Sequence, residues 1–127
     1  MSKGSITTEE TEKLSAVFGA LADPTRRGII ERVRVESKTV AELASDFAIS
    51  LPAVSKHLKV LDKAGLVHRA KSGKYILCSY NPEPGRAAMK WINEQHRFWQ
   101  DSFAGLAEFL DKRKTTENGT DNNPDSM

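Results

Sequence analysis

The chain has 127 residues, a length that suits one domain with a single hydrophobic core. Its hydrophobic fraction of 39% is low, its net charge is only +2, and no apolar run approaches the roughly 18 residues of a membrane-spanning helix. The single cysteine, Cys78, excludes an internal disulfide framework and is typical of a reducing compartment. We therefore expect a cytoplasmic protein that does not enter a membrane.

The N-terminal part of the chain divides into a polar segment and a helix. Residues 1–10 lack apolar periodicity, and we expect them to be disordered. Over residues 11–22, apolar side chains that include Leu14 and Phe18 recur at helical spacing. This pattern predicts a first helix with one apolar face.

A second helix is predicted over residues 24–35. Asp23 can cap it, and Pro24 suits the first helical position because its missing N–H needs no partner there. Arg26 and Arg27 in its first turn have two interpretations. They are either ordinary surface charges or take part in a phosphate contact or an interhelix salt bridge.

Two further helices are predicted over residues 40–46 and 50–64. Thr39 and Glu42 have the spacing of a capping box at the start of the first of these helices. Ser50 can cap the second helix through its hydroxyl group. Two helices joined by so short a connection are typical of a helix-turn-helix unit.

The helix predicted over 50–64 has two chemically different faces. Val54, Leu58 and Leu61 recur at i, i+4 and i+7 and predict a buried face, whereas the opposite face is basic. Residues 50–75 contain six basic residues and one acidic residue, against 13 basic and 16 acidic residues in the rest of the chain. The positive charge is thus concentrated as in a surface that contacts phosphates.

Beyond Gly65, whose position suits a left-handed helix end, the pattern changes to that of β-strands. Two β-rich runs over residues 66–80 flank a short basic turn, which predicts a hairpin. Together with the preceding helices this hairpin predicts a winged helix-turn-helix, with residues 50–64 as the recognition helix. The predicted fold class is therefore mainly α with a small β-hairpin.

A last helix is predicted over residues 86–112, after a cluster of breaker residues at 81–85. Its apolar residues alternate in steps of three and four, as in a coiled-coil seam. So small a domain cannot cover so long a helix, and we expect the helix to pair with its copy, aided by the first helix. The winged-helix and dimerisation domain would then span 11–112, and the polar residues 113–127 would be a disordered tail. The residues expected at the dimer interface are Leu14, Phe18, Ile92, His96, Trp99, Phe103, Leu106 and Leu110.

These segments together resemble the ArsR/SmtB family of winged-helix repressors. The similarity covers about residues 14–110 and is carried by ALADPTRRGII (20–30), TVAELASDFAIS (39–50) and LPAVSKHLKVLDKAGLV (51–67). The resemblance implies a homodimeric repressor that binds an imperfect inverted repeat in double-stranded DNA. By charge and by this resemblance, the residues predicted to contact DNA are Ser50, Ala53, Ser55, Lys56, His57, Lys59 and Lys63 of the recognition helix and Arg69, Lys71, Ser72, Gly73 and Lys74 of the wing.

Many proteins of this family release DNA when they bind a metal, but the residues of this chain depart from the family's metal motifs. The cysteine pair of the third helix is replaced by AELASDF over 41–47, and Cys78 alone cannot build a thiolate site. Residues 94–96 resemble half of the zinc site on the last helix, but Ala107 and Leu110 stand where the other half should be. We therefore predict no metal and no cofactor, and regulation by an unidentified small molecule, a partner protein or autorepression.

Two alternatives remain open at this point. One is a metal-responsive repressor of the same fold, in which His96 would be a ligand. The other is a winged-helix module that binds a protein through the last helix. An enzyme is not predicted, because Ser55 and His57 are the nearest approach to a catalytic arrangement and residues two positions apart on a helix do not face each other.

Overall fold

The computed structural model describes residues 7–117, and the side chains of residues 7–113. Within that range the chain is mainly helical with one small sheet, so the predicted fold class is confirmed. None of the described helices combines the length and the apolar character needed to cross a membrane. The elements are α1 (Thr8–Leu21), α2 (Pro24–Val35), β1 (Lys38–Thr39), α3 (Val40–Phe47), α4 (Leu51–Lys63), β2 (Val67–Ser72), β3 (Tyr75–Tyr80) and α5 (Glu83–Glu117).

The chain divides into two compact units after Met89. The first unit contains α1 to α4, the sheet and the beginning of α5. The second unit contains the remainder of α5. The single domain predicted over 11–112 therefore extends over both units.

The first unit has an apolar core to which every one of its helices contributes. Leu58 and Leu61 of α4 are fully buried in it, which confirms the predicted inward face of that helix. Among the described residues no polar or charged side chain is buried, so packing alone defines this core. The buried residues are Val17, Ala20, Ile29, Val33, Leu43, Ala44, Val54, Leu58, Leu61, Leu66, Val67, Cys78 and Ala88.

Three of the predicted helix caps are confirmed, and each satisfies backbone N–H groups that have no partner inside the helix. The Asp23 carboxylate caps α2. Thr39 and Glu42 form a reciprocal capping box at the start of α3. At the start of α4, the Ser50 hydroxyl accepts a hydrogen bond from the backbone N–H of Ala53 at 3.2 Å.

The beginning of α1 differs from the prediction. The helix begins at Thr8, so the expectation of disorder is wrong for residues 8–10. The reason is a second capping box, in which the Thr7 hydroxyl accepts a hydrogen bond from the Glu10 N–H and the Glu10 carboxylate accepts one from the Thr7 N–H, both at 3.0 Å. Residues 1–6 lie outside the described part of the chain.

Both ends of α5 also differ from the prediction. The helix runs from Glu83 to Glu117, so it takes in part of the supposed breaker cluster and the first residues of the supposed tail. Pro84 is tolerated because it lies in the first turn, where an N–H has no helical partner. The Arg86 N–H already donates to the Pro82 carbonyl at 3.0 Å. The remaining tail residues lie outside the described range.

The sheet has three antiparallel strands in the order β1-β3-β2. The predicted hairpin corresponds to β2 and β3, with Ser72 paired to Tyr75 across a two-residue loop. Gly73 in that loop has a φ of +65°, as the first position of a type II′ turn requires. The sequence did not predict β1, because a strand of two residues has no periodicity to detect.

The turn between α3 and α4 contains a residue in the left-handed conformation. Ala48 has φ 54° and ψ 44°, and among the described residues it is the only one besides glycine with a positive φ. Its N–H donates to the Ser45 carbonyl, and the Ile49 N–H donates to the Ala44 carbonyl. This closed turn fixes the direction in which α4 leaves α3.

The helices α2 and α3 approach each other closely at Gly28 and Phe47. A Cβ atom at Gly28 would lie 2.7 Å from a ring carbon of Phe47. The guanidinium group of Arg32 lies 4.9 Å from the centroid of the same ring. Only glycine at position 28 leaves room for this packing.

Candidate nucleic-acid interface

The face of α4 opposite the core is polar and basic. Ser50, Ser55, Lys56, Lys59 and Lys63 are all exposed, as expected of residues that contact DNA. None of the three lysines forms an ion pair with another of the described residues, so their charges are available to phosphates. Two further predicted contacts, Ala53 and His57, are half-buried on the side of the helix.

The wing presents a smaller positive charge than its sequence indicates. Arg69 of β2 donates a hydrogen bond from Nε to the Asp62 carboxylate of α4 at 2.9 Å. This ion pair joins the wing to the recognition helix and neutralises one of the predicted DNA-contacting cations.

The cations that remain on the wing lie at its tip. Lys71, Ser72, Gly73 and Lys74 are all exposed there. The ammonium group of Lys74 lies 5.9 Å from the centroid of the Tyr75 ring. The tip therefore presents two lysines and an exposed aromatic ring.

His57 belongs to α4, the helix with the basic outer face, but its imidazole ring faces α2. Its Nδ1 atom lies 3.4 Å from a terminal nitrogen of Arg26 and 3.9 Å from a carboxylate oxygen of Asp23. The sequence predicted that His57 contacts DNA. The structure instead places the Nδ1 side of its ring against the second helix, and the predicted contact remains a prediction.

Arg26 joins three helices at this point. From α2 it donates to the Ala20 carbonyl at 2.9 Å and to the Gly19 carbonyl at 3.2 Å, both at the end of α1, while it also lies beside His57. Arg27 donates to the Leu21 carbonyl at 2.8 Å. The two arginines therefore satisfy carbonyl groups at the C-terminal end of α1 and place positive charge at the negative end of its dipole.

Both arginines bind backbone carbonyl groups of another helix, which neither predicted interpretation included. Among the described residues neither arginine forms an interhelix salt bridge, and a phosphate contact remains a prediction. A signal was present in the sequence, because α1 has no basic residue in its last turn and two arginines follow shortly after it. The periodicity of one helix gives no indication of such a donor on the next helix.

Two groups in this region have displaced pKa values. The hydrogen bond from the Arg26 backbone N–H is the main cause that holds the pKa of Asp23 below its ordinary 3.8, and the neighbouring charges of His57 and Arg26 act in the same direction. Burial raises the pKa of the Cys78 thiol above its ordinary 9.0, although the charge of Arg69 opposes this shift. Cys78 is therefore a buried neutral thiol.

The predicted dimer residues fall into two groups. Leu14 and Phe18 of α1 are half-buried and pack against the core of their own chain. On α5, nine large apolar side chains are each between 40% and 61% exposed. The predicted seam residues among them are Ile92, Trp99, Phe103, Leu106 and Leu110, and His96 is exposed as well.

No metal site is apparent in the part of the chain that the structure describes. In residues 7–117, no group of three or more His, Cys, Asp or Glu side chains could hold a metal ion. The prediction that no metal is bound remains untested by this observation.

A capped helix-turn-helix with a basic outer face, followed by a basic hairpin, defines a DNA-binding protein of the winged helix-turn-helix class. The family model described as "Bacterial regulatory protein, arsR family" matches residues 23–69. The HTH-type transcriptional regulator Rv2034 of Mycobacterium tuberculosis is 42% identical over 92 residues, which cover 72% of this chain and 83% of that protein. The chain belongs to the ArsR family.

Two further comparisons agree with this assignment. The transcriptional repressor SdpR of Bacillus subtilis is 32% identical over 62% of this chain and 88% of its own length. The crystal structure of an ArsR family transcriptional regulator superposes with a TM-score of 0.67 at 38% identity, over 71% of this chain and 93% of that one. The protein is therefore a DNA-binding transcriptional regulator and not an enzyme, and the relatives support the predicted repressor role.

Proposed function

We propose that this protein is a homodimeric repressor that binds an inverted-repeat operator through α4 and the wing of each protomer. The observation that carries the homodimer is the exposed apolar face of α5. Large apolar patches on a soluble protein mark interaction sites, and a heptad seam that meets its own copy buries the same residues on both sides. The second copy is the occupant that such a self-complementary seam favours.

The two recognition helices of a dimer would enter successive major grooves on one side of the duplex. The half-sites would then be centred about 34 Å, or one helical turn, apart. Because the two protomers are related by a two-fold axis, the operator would be an inverted repeat. Binding would therefore require both half-sites on the correct spacing.

Lys56, Lys59, Lys63, Lys71 and Lys74 would supply mainly phosphate contacts. Such contacts set affinity and its dependence on salt, but carry little sequence information. Ser50, Ala53 and Ser55 are short enough to let the helix approach base edges. The groove face of α4 has no Arg, Asn or Gln, so discrimination would depend on Lys56, on small apolar contacts and on DNA shape.

The test is a binding measurement on DNA from upstream of the protein's own gene, by fluorescence anisotropy across a series of salt concentrations. We expect two protomers per duplex and a steep decrease in affinity with salt. Lys59→Ala should weaken binding to every sequence by a similar factor and reduce the salt slope by about one unit. Lys13→Ala, which removes the same charge from an exposed position on α1, is the matched control and should leave the slope unchanged.

The proposal fails if binding is no tighter than to random DNA, or if the bound species contains one protomer. A change in sequence preference without a change in salt slope would overturn the assignment of Lys59 to phosphate.

We propose a cytoplasmic location and an effector that is a small molecule or a partner protein. Repeating the titration with zinc tests the metal-responsive alternative, which predicts release of the DNA.

A further inference from the structure

Leu51, the first residue of α4, is an apolar residue that the core does not use. Its side chain is 53% exposed, whereas Val54, Leu58 and Leu61 form the buried face of the helix. Neither charge nor periodicity marked it as a DNA-contacting residue. It nevertheless lies on the helix that carries the predicted DNA contacts.

Helical geometry places Leu51 on the same exposed strip as two predicted DNA contacts. Leu51, Ser55 and Lys59 follow each other at intervals of four residues, so they lie along one side of the helix, and all three are exposed. Side chains of an α-helix tilt toward its N-terminus. The Leu51 side chain therefore projects past the beginning of α4, the end of a recognition helix that contacts base edges.

The residues at this end of the helix offer few hydrogen-bonding groups to a base edge, and Leu51 offers none. The neighbouring Ser50 hydroxyl is engaged by the Ala53 N–H, and Pro52 has no N–H to donate. Leucine itself offers only methyl groups. In the major groove of B-DNA, the apolar group that a base edge presents is the 5-methyl group of thymine.

We propose that Leu51 is a specificity-determining residue that packs on the 5-methyl group of one thymine in each operator half-site. This inference rests on the proposed function, because it requires α4 to lie in the major groove. It assigns base discrimination to a side chain that makes no hydrogen bond. One thymine per half-site is then selected over the other bases at that position.

The test removes the methyl group from the DNA and the leucine from the protein, separately and together. A duplex selected by the full-length protein from a random-sequence pool is the probe, and each thymine is replaced in turn by deoxyuridine in both half-sites. For the unmodified protein we expect a loss of about fourfold per half-site at one symmetric thymine, the size that follows from exposing one methyl group to water. Leu51→Ala should bind more weakly at the outset and show no further loss at that thymine.

Val60→Ala is the matched control, because Val60 is also an exposed apolar residue of α4, at 39%, but lies in its third turn. This variant should keep the full sensitivity to deoxyuridine. The inference is overturned if Leu51→Ala remains as sensitive as the unmodified protein, or if no thymine responds in the unmodified protein. A failure to select any sequence from the pool would instead overturn the proposed function, and the inference with it.

Discussion

Two helices of this protein have similar apolar patterns and opposite surroundings. On α4, Leu58 and its neighbours at helical spacing are 0% exposed, because α1, α2, α3 and the sheet surround them. On α5, Leu106 belongs to an equally regular apolar series but is 52% exposed. Apolar periodicity therefore indicates that one face of a helix needs to be buried. It does not indicate whether the same chain or another one buries that face, which depends on how much protein surrounds the helix.

The largest difference should come from the same substitution on each helix. Leu58→Ala opens a cavity in the core, and we expect the free energy of unfolding to decrease by about 2–5 kcal/mol at any protein concentration. Leu106→Ala should weaken the proposed dimer, so its effect on the unfolding midpoint should depend on protein concentration. Urea denaturation at several protein concentrations distinguishes the two. If the two substitutions change the unfolding midpoint with the same dependence on protein concentration, the contrast between α4 and α5 is wrong.

A charge on α5 should separate the protomers. Phe103→Glu would place a carboxylate in the proposed apolar interface twice per dimer. We expect the dimer dissociation constant to increase by at least about 100-fold, because the buried charges would have no partner. Analytical ultracentrifugation measures it. Gln100→Glu, which adds the same charge at another exposed position of α5, is the control. An unchanged dimer in Phe103→Glu would remove this face from the interface.

Arg26 should matter for α4 as well as for α1. Arg26→Ala removes two hydrogen bonds to carbonyl groups of α1 and the contact with His57, and we expect a loss of about 1–2 kcal/mol in stability, since the guanidinium group is only partly buried. Arg27→Ala removes one such bond and should cost less. DNA affinity should decrease with Arg26→Ala more than with Arg27→Ala. Equal effects on affinity would show that the contact with His57 has no role in orienting α4.

The turn that leads into α4 can be improved. Ala48→Gly should stabilise the protein by about 0.5–1 kcal/mol, because relief of the left-handed alanine outweighs the added freedom of glycine in the unfolded chain. Gly73→Ala, the reverse exchange at a positive φ in the wing, should destabilise the protein by about 1 kcal/mol. Thermal unfolding measures both variants. A less stable Ala48→Gly variant would contradict the argument.

The smallest expected effect is on the stability of the protein at low pH. Because the folded protein holds the pKa of Asp23 below that of the unfolded chain, the stabilisation is present above the unfolded pKa and is lost as the pH falls through the folded value. Asp23→Asn keeps an oxygen that can cap α2 but does not titrate. Its stability should therefore decrease less than that of the unmodified protein as the pH falls below the ordinary aspartate pKa of 3.8. Identical acid denaturation curves would contradict this assignment.

Much of the fold follows from local signals in the sequence. Asp23, Thr39 and Ser50 mark the beginnings of three helices because a cap is a matter of a few neighbouring residues. The strand β1 depends on a partner that is distant in the sequence, and the carbonyl contacts of Arg26 join one helix to the one before it. Periodicity within a single element indicates neither. At the candidate site, the charge pattern identified the lysines, but it could not indicate that Arg69 is paired with Asp62 or that Leu51 remains exposed.

The orientation of His57 toward α2 divides α4 into positions that maintain the architecture and positions that are open to change. Substitutions at Leu51, Ser55 or Lys56 alter the outer surface without disturbing the core or the contact with Arg26. After a gene duplication, a copy of this regulator could therefore acquire a new operator through a few codons while its scaffold stays intact. The same separation would let a designer exchange the outer side chains of α4 as a set.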